Sequence, residues 1–317
     1  MSKYEIRKTS IIGMGALGLL YGSHIARQAG MDAVEFIVGE SRFQSYCDRA
    51  FLCNGEEVKF KITLDSKAEP ADLLIVAVKY TALAEALDTM KNCIGPNTII
   101  LSVLNGISSE QIIGGRYGME KVIYTVAQGM DAMKFGNDFQ FTNMGKLHMG
   151  ITEDKQREKL KGITDYFDRI QIPYVIEEDI IYRMWSKFML NVGVNQTCMV
   201  YDTNYGGVLI EGDANRTMLA AMREVIALAN AEGIPLSEKD VNQYMDILGT
   251  LNPEGMPSMR QDRINRRLSE VEIFAGTVIA KAKMHNLYVP TNEFLYKRVK
   301  EIESSYLHKA GFTNQQY

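Results

Sequence analysis

A glycine-rich motif near the N-terminus constrains this chain more than any other feature. Residues 13–18 read Gly-Met-Gly-Ala-Leu-Gly, directly after an apolar run and before an amphipathic segment that continues to about Ala29. In a strand–turn–helix unit, the first glycine permits a tight turn, the second lets a pyrophosphate approach the backbone, and the third lets helix and strand pack closely. The motif therefore predicts a dinucleotide site at a helix N-terminus. The alternative is an ordinary strand-to-helix turn that contains three glycines. The predicted cofactor loop comprises Gly13, Met14, Gly15, Ala16, Leu17 and Gly18.

The composition is that of a folded chain that binds neither nucleic acid nor membranes. Of its 317 residues, 46% are hydrophobic and 23% are charged, and the formal net charge is -4. This balance argues against a disordered chain and against a basic nucleic-acid-binding domain. We find no signal-peptide pattern and no apolar run of roughly 18 residues, the length of a membrane span. The four cysteines and four histidines lack metal-binding spacing, so we expect reduced thiols, no metal and a cytoplasmic protein.

The first half of the chain alternates apolar runs with helical patterns. Strands are predicted at Val34–Val38, Leu73–Val78, Thr98–Val103 and Lys121–Val126. Such alternation predicts an α/β fold with a Rossmann-type, doubly wound and mostly parallel sheet, whose ligands lie at the carboxyl ends of the strands. The turn-rich segment 136–150 predicts an antiparallel addition. A helix at about Asp154–Arg169 and a strand at Pro173–Ile176 are predicted to complete this domain.

Beyond about residue 178 the pattern becomes helical. Long helices are predicted at Ile180–Met199, Asp213–Glu232, Glu238–Leu248 and Met259–His285. We therefore expect two domains: a dinucleotide-binding domain over residues 1–178 and an all-α domain over residues 179–317.

Three polar residues recur every four positions within the first of these helices. Lys187, Asn191 and Asn195 share one face of an otherwise apolar segment. Burying these groups without partners would cost about 1–3 kcal/mol for each amide and more for the ammonium. The face is therefore expected to line a polar cleft. In the alternative, Lys187 extends to solvent and the asparagines bond to loops.

These features together resemble the ketopantoate reductase (2-dehydropantoate 2-reductase) family over nearly the whole chain. The matching segments, in chain order, are Gly13–Gly18, Val78–Lys79, Leu104–Asn105–Gly106, Trp185–Ser186–Lys187 with Asn191 and Asn195, Ser258–Asp262, Glu270 and Val289–Asn292. The resemblance implies an NADPH-binding Rossmann domain joined to an all-α domain of the 6-phosphogluconate dehydrogenase C-terminal-like type. It also implies reduction of 2-dehydropantoate to pantoate, in the cleft between the domains, for pantothenate and coenzyme A synthesis. Whether the chain is a monomer or a homodimer formed through the helical domain is left open.

The resemblance assigns roles to individual residues. Lys187 is implied as the proton donor to the developing alkoxide, and Glu270 as the carboxylate that binds the substrate hydroxyl. Ser258 is implied to hold the substrate carboxylate, while Asn105, Asn191 and Asn195 orient its oxygens. Lys79 is implied to approach cofactor and substrate, and Asn105 to contact both. From the residues alone, Glu270 fits an exposed helix face better, Lys79 fits a loop lysine nearly as well, and Asn105–Gly106 fits a turn.

The segment after the second predicted strand departs from the family. Family members commonly carry an arginine directly after this strand to bind the adenosine 2′-phosphate, whereas this chain continues Gly39-Glu40-Ser41-Arg42. Glu40 lies where an acidic side chain would bind a free ribose 2′-hydroxyl and favour NADH. Arg42 could still reach a 2′-phosphate. We expect NADPH, with NADH as the alternative.

Three functions remain open from the sequence. The first is reduction of 2-dehydropantoate, and the second is reduction of another 2-oxo acid, for which residues 197–199 and 255–257 would vary the pocket. The third is a non-catalytic sensor that binds a nicotinamide dinucleotide. A sensor would not need both Lys187 and Glu270, so an enzyme acting on a small 2-oxo acid is favoured.

Overall fold

The computed structural model describes residues 3–309, which divide between Ile180 and Ile181 into two compact units. The predicted boundary lay two residues earlier, after residue 178. Each unit has its own arrangement of elements and is described separately below.

The strands of the first unit form two sheets. Their bounds are β1 (Thr9–Ile12), β2 (Val34–Val38), β3 (Phe51–Cys53), β4 (Glu56–Val58), β5 (Lys61–Leu64), β6 (Leu73–Val76), β7 (Ile99–Ser102), β8 (Val122–Gln128), β9 (Met133–Phe135), β10 (Asp138–Gln140), β11 (Lys146–Gly150) and β12 (Tyr174–Ile176). The larger sheet has eight strands in the order β12-β11-β8-β7-β6-β1-β2-β5. All its pairings are parallel except that of β11 with β8. The predicted α/β class and mostly parallel sheet are confirmed.

Helices cover both faces of this sheet. Their bounds are α1 (Ala16–Ala29), α2 (Glu40–Tyr46), α3 (Leu83–Thr89), α4 (Ser109–Tyr117) and α5 (Arg157–Ile170). One buried cluster packs α1 and α5 against the sheet through residues such as Leu19 and Phe167. A second cluster packs α3 and α4 against the other face through Leu87 and Ile113. Burial on both faces explains why the central strands are continuous apolar runs.

The smaller sheet, of order β4-β3-β10-β9, joins two distant parts of the chain. Its central pairing is parallel, with Asp138 opposite Leu52 and Phe139 opposite Cys53. The antiparallel addition predicted for residues 136–150 is thus divided between the sheets, because only β11 pairs with β8 whereas β10 pairs with β9 and β3. Three-residue strands carry too little alternation for a sequence pattern to detect.

The second unit contains helices. Their bounds are α6 (Ile180–Tyr201), α7 (Tyr205–Leu209), α8 (Asp213–Ala231), α9 (Glu238–Thr250), α10 (Ser258–Ile264), a π-helical turn (Glu272–Gly276), α11 (Thr277–Met284) and α12 (Pro290–Lys309). Helix α8 contacts α7, α9, α11 and α12. The Glu224 carboxylate of α8 accepts hydrogen bonds from the backbone N–H groups of Thr291 and Asn292, at 2.7 and 2.9 Å, and so caps α12. No helix between residues 3 and 309 is both long and apolar enough to cross a membrane.

The prediction of one continuous helix over Met259–His285 is wrong. Helix α10 ends at Ile264, and Arg266 has a left-handed φ of 50°. The Arg267 N–H then bonds to the Asp262 carbonyl at 2.8 Å, which closes the end of α10. Beyond the break, the Glu303 carboxylate accepts bonds from both the backbone N–H and the hydroxyl of Ser269. A hydrophobic period persists across such a break, so periodicity alone does not reveal it.

Candidate functional site

The glycine motif forms the loop between β1 and α1, as the sequence predicts. Gly13 has φ +108°, and a Cβ atom there would lie 2.6 Å from the Ala77 carbonyl oxygen. A Cβ at Gly18 would lie 2.0 Å from the Gly13 carbonyl oxygen, because α1 packs directly on the loop. Both positions therefore require glycine for the fold itself.

Gly15 differs from its two neighbours in the motif. A Cβ at this position would meet the Ala77 carbonyl oxygen at an ordinary 3.8 Å, so packing within the protein does not demand glycine here. Gly15 is also the N-cap residue of α1, and the first turn of the helix has no side-chain cap and no acidic residue. The absence of a side chain suits a phosphate group that approaches the backbone N–H groups from outside. This loop therefore fits a dinucleotide.

Lys134 of β9 supports the loop from the smaller sheet. Its Nζ donates a hydrogen bond to the Met14 carbonyl oxygen at 2.9 Å and lies 5.7 Å from the centroid of the Phe51 ring. Burial, together with the positive charge of Arg49, lowers the pKa of Lys134. The sequence analysis missed this residue, because a lysine 120 positions from Met14 carries no signal of the contact.

A groove opens beside the loop at the carboxyl ends of β1, β2 and β6. It is lined by Ile12, Gly13, Met14, Ile37, Val38, Gly39, Arg42, Tyr46, Val78, Ala82, Glu85, Ala86 and Thr89. These strands end together, since Ile12 is aligned with Ile37 on one side and Val76 on the other. This is the crevice in which doubly wound sheets bind their ligands.

The two charged residues that line the groove are not the pair expected from the sequence, because Glu85 takes the place of Glu40 beside Arg42. Arg42 lines it and pairs with Glu85 of α3, at 3.3 Å between Nη2 and Oε2. Glu40, the first residue of α2, is exposed and is not among the described residues that line the groove. The sequence does not identify Glu85, because only its contact with Arg42, 43 positions away in the chain, connects it with the groove.

Lys79 and Asn105 follow the neighbouring strands β6 and β7. The ends of these strands are aligned, with Val76 opposite Ser102, so the two loops leave the same edge of the sheet. Lys79 is exposed and precedes a 3-10 turn, while Asn105 is half-buried and is followed by Gly106 at φ +96°. The topology thus brings these two loops to the edge that carries the glycine loop.

In the second unit, α6 carries the predicted polar face. Asn191 and Asn195 are each 8% exposed and Lys187 is half-buried, whereas Phe188, Met189 and Val192 between them are fully buried. The four-residue spacing within one continuous helix places the three polar groups in a single row. A row of one ammonium and two amides can bind several oxygens of a small acid.

Glu270 and Ser258 lie at opposite sides of the break that follows α10. Ser258 is the exposed first residue of α10, and Glu270 is a half-buried residue two positions before the π-helical turn. The backbone N–H of Ile273 bonds to the Glu270 carbonyl at 3.1 Å, and that of Phe274 does so at 3.3 Å. Single π-helical turns are rare and are frequent at functional sites.

The first unit has a Rossmann-type sheet with a groove at its carboxyl edge, and the second unit is helical and carries the polar row on α6. These features are typical of two-domain proteins that bind a nucleotide in their Rossmann-type domain. The family model "Ketopantoate reductase PanE/ApbA" matches residues 9–154, and the model "Ketopantoate reductase PanE/ApbA C terminal" matches residues 179–303. The chain belongs to the ketopantoate reductase family, a family of oxidoreductases, and the predicted family membership is confirmed.

Individual relatives are distant. A 2-dehydropantoate 2-reductase of Streptococcus pyogenes is 24% identical over 285 residues, covering 88% of this chain and 92% of its own. Among solved structures, D-mandelate dehydrogenase in complex with NADH has a TM-score of 0.84 at 24% identity and covers 94% of this chain and 99% of its own. A PanE/ApbA family ketopantoate reductase from Ralstonia eutropha has a TM-score of 0.81 at 22% identity, with coverages of 95% and 100%. These structures share the fold.

Proposed function

We propose that this protein is an NADPH-dependent 2-dehydropantoate 2-reductase, which forms (R)-pantoate for pantothenate and coenzyme A biosynthesis. The observation that carries the proposal is the row of Lys187, Asn191 and Asn195 on a helix that is otherwise apolar and buried. A site for an acid with several oxygens needs such a set of hydrogen-bonding groups at fixed positions. Membership of the ketopantoate reductase family supports the same substrate class.

The reaction adds a hydride to the ketone carbon and a proton to the ketone oxygen. The loop of residues 13–18 would hold a reduced nicotinamide dinucleotide, which would supply the hydride when bound. Lys187 donates the proton from its ammonium group to the developing alkoxide and then recovers one from solvent. Glu270 accepts a hydrogen bond from the new hydroxyl group. The product is a 2-hydroxy acid.

The remaining residues hold the substrate. Ser258 donates a hydrogen bond to the substrate carboxylate, and Asn105, Asn191 and Asn195 orient its hydroxyl and carbonyl oxygens. Lys79 follows β6 at the same sheet edge as the glycine loop and contributes positive charge toward cofactor and substrate. Arg42 binds the adenosine 2′-phosphate, which makes NADPH the proposed cofactor and NADH the alternative.

Reduction of another 2-oxo acid is the second candidate. Thr197 is fully buried near the end of α6, and its hydroxyl has no hydrogen-bond partner among the described residues. Thr197 belongs to the segment 197–199, at which we propose that the pocket varies between substrates. D-Mandelate dehydrogenase, which has the same fold and was solved with NADH, is named for a different 2-hydroxy acid.

A panel of 2-oxo acids assayed with NADPH and with NADH distinguishes these candidates. Loss of absorbance at the reduced nicotinamide band gives kcat/KM for 2-dehydropantoate, benzoylformate, pyruvate and 2-oxoisovalerate. We expect 2-dehydropantoate with NADPH to exceed every other combination by at least about tenfold, or roughly 1.4 kcal/mol. A higher kcat/KM for another acid would replace the proposed substrate. The absence of turnover with any acid would favour a dinucleotide-binding sensor.

A further inference from the structure

The charged groups of the groove suggest how this chain selects between NADPH and NADH. Arg42 on α2 and Glu85 on α3 lie on different sides of the groove and meet through Nη2 and Oε2 at 3.3 Å. Their side chains are 49% and 56% exposed, so solvent and ligands reach both. Gly13, Met14 and Gly39 line the same groove, which places the pair beside the dinucleotide loop.

The two cofactors differ only in the adenosine 2′-phosphate. That group carries about -1.5 to -2 charges near neutral pH and binds best to an unopposed guanidinium. In this groove the Glu85 carboxylate already neutralises Arg42. A 2′-phosphate must therefore displace Glu85 or bind close to its negative charge, whereas a free 2′-hydroxyl group leaves the ion pair intact.

We propose that Glu85 limits the preference of this protein for NADPH over NADH by competing with the 2′-phosphate of NADPH for Arg42. The proposal rests on the proposed function, because it assigns the groove to the adenosine end of the cofactor. Exposed ion pairs contribute only about 0–1 kcal/mol, so a 2′-phosphate can displace Glu85 from Arg42 at a small cost. Glu85 thus weakens NADPH binding without preventing it.

Glu40 is the competing explanation, since it was the acidic residue expected to disfavour a 2′-phosphate. It follows Gly39 directly but stands outside the described lining of the groove, whereas Glu85 is in direct contact with Arg42. The structure therefore assigns the repulsion of the 2′-phosphate to Glu85, which lies 43 positions after Arg42 in the chain.

Direct binding of NADPH and NADH to the full chain tests the proposal without a turnover assay. Dissociation constants are measured by isothermal titration calorimetry for the parent, Glu85→Gln and Asp88→Asn. Asp88 lies one turn further along α3 and pairs with Arg116, so its variant makes the same change in net charge on the same helix.

We expect Glu85→Gln to bind NADPH at least about fivefold more tightly and NADH within about twofold of the parent. Asp88→Asn should leave the NADPH-to-NADH ratio unchanged, and added salt should reduce the gain in Glu85→Gln because it screens an exposed charge. An equal shift for both cofactors, no shift, or the same shift in Asp88→Asn would overturn the proposal. So would a larger shift in Glu40→Gln.

An Arg42→Ala background tests whether Glu85 acts through Arg42. If it does, Glu85→Gln changes NADPH binding much less in Arg42→Ala than in the parent, which is the coupling that a double-mutant cycle measures. An undiminished gain would overturn competition for Arg42. Parent protein that binds NADPH or NADH but reduces no 2-oxo acid would refute the proposed reaction while leaving this test intact. Parent protein that binds neither would refute the cofactor assignment itself.

Discussion

Gln196 of α6 holds the π-helical turn that follows Glu270: its Oε1 accepts a hydrogen bond from the Ala275 backbone N–H at 3.0 Å. Its Nε2 donates to the Val192 carbonyl at 2.8 Å, and the side chain is fully buried. The residue directly after Asn195 therefore sets the position of the segment that begins with Glu270 relative to the polar row on α6.

Replacing Gln196 by methionine should destabilise the protein. The change preserves size but leaves the buried Ala275 N–H without its acceptor, which costs about 1–3 kcal/mol of unfolding free energy. Urea denaturation followed by circular dichroism measures the loss. Gln243→Met, on an exposed position of α9, is the matched control and should change stability by less than about 0.5 kcal/mol. Equal stabilities for the two variants would contradict this role of Gln196.

Lys187→Ala should lower kcat for the preferred 2-oxo acid by at least about a hundredfold, because general-acid contributions are typically 10²–10⁴-fold. The dissociation constant for the cofactor should change little. Steady-state kinetics and a cofactor titration measure the two effects separately. Lys283→Ala, an exposed lysine of α11, is the control for removal of a charge. A Lys187→Ala variant with activity within threefold of the parent would rule out the proton-donor role.

Lys134→Met should weaken binding of NADPH and NADH alike. The hydrogen bond from its ammonium group holds the Met14 carbonyl, and loss of a charge-assisted bond costs about 1.5–3 kcal/mol, part of which appears as a less ordered loop. Both dissociation constants should rise by about tenfold, in contrast to the selective effect expected at Glu85. Lys67→Met, at an exposed position of the same unit, is the control. Unchanged affinities would show that the loop holds its shape without Lys134.

Lowering the pH should remove the contribution that Glu35, a buried residue of β2, makes to the free energy of unfolding. Burial alone would raise the pKa of Glu35, but hydrogen bonds from Lys8 and Thr63 and the charges of Lys8 and Lys61 outweigh it and hold the pKa below the usual 4.5. Because the folded-state pKa is lowered, the contribution is fully present above about pH 4.5 and is lost as the pH falls through the folded-state value.

Glu35→Gln tests this prediction. At pH 7 the variant should be about 1–3 kcal/mol less stable than the parent, since it loses charge-assisted bonds. The difference should shrink as the pH falls from 5 to 3, which urea denaturation at each pH measures. Asp72→Asn is not a suitable comparison, because the Asp72 carboxylate caps the backbone N–H groups of Arg7 and Lys8. Glu57→Gln, which changes an exposed carboxylate of β4, is the suitable control. A constant difference over this pH range would contradict the prediction.

The sequence predicts the large sheet well because its strands are buried on both faces. Val34–Val38 coincides with β2, and the predicted strand Leu73–Val78 exceeds β6 by only two residues. Such strands stand out as apolar runs between glycine-rich or polar turns. The prediction fails where local signals are weak or non-periodic, as in the three-residue strands of the small sheet and at the left-handed Arg266.

The residues of the candidate site likewise divide into those that the sequence predicts and those that it does not. The glycine motif, Arg42 and the polar row of α6 are visible because their chemistry lies within short segments. Glu85 and Lys134 become relevant only through contacts with Arg42 and Met14, which are set by the order of strands in space. A pattern within a single segment contains no information about such contacts.

The parallel pairing of β3 with β10 has a consequence for how the protein forms during synthesis. Asn54, just beyond β3, exchanges hydrogen bonds with the backbone of Phe141, 87 residues later in the chain. The strand that carries Lys134 belongs to this sheet, so the support beneath the dinucleotide loop cannot assemble until that later segment has left the ribosome. Pairing between segments so far apart is slow because the entropy of closing the intervening loop must be overcome first. We therefore expect nascent chains that end before residue 130 to lack cofactor affinity, although they already contain the entire glycine motif.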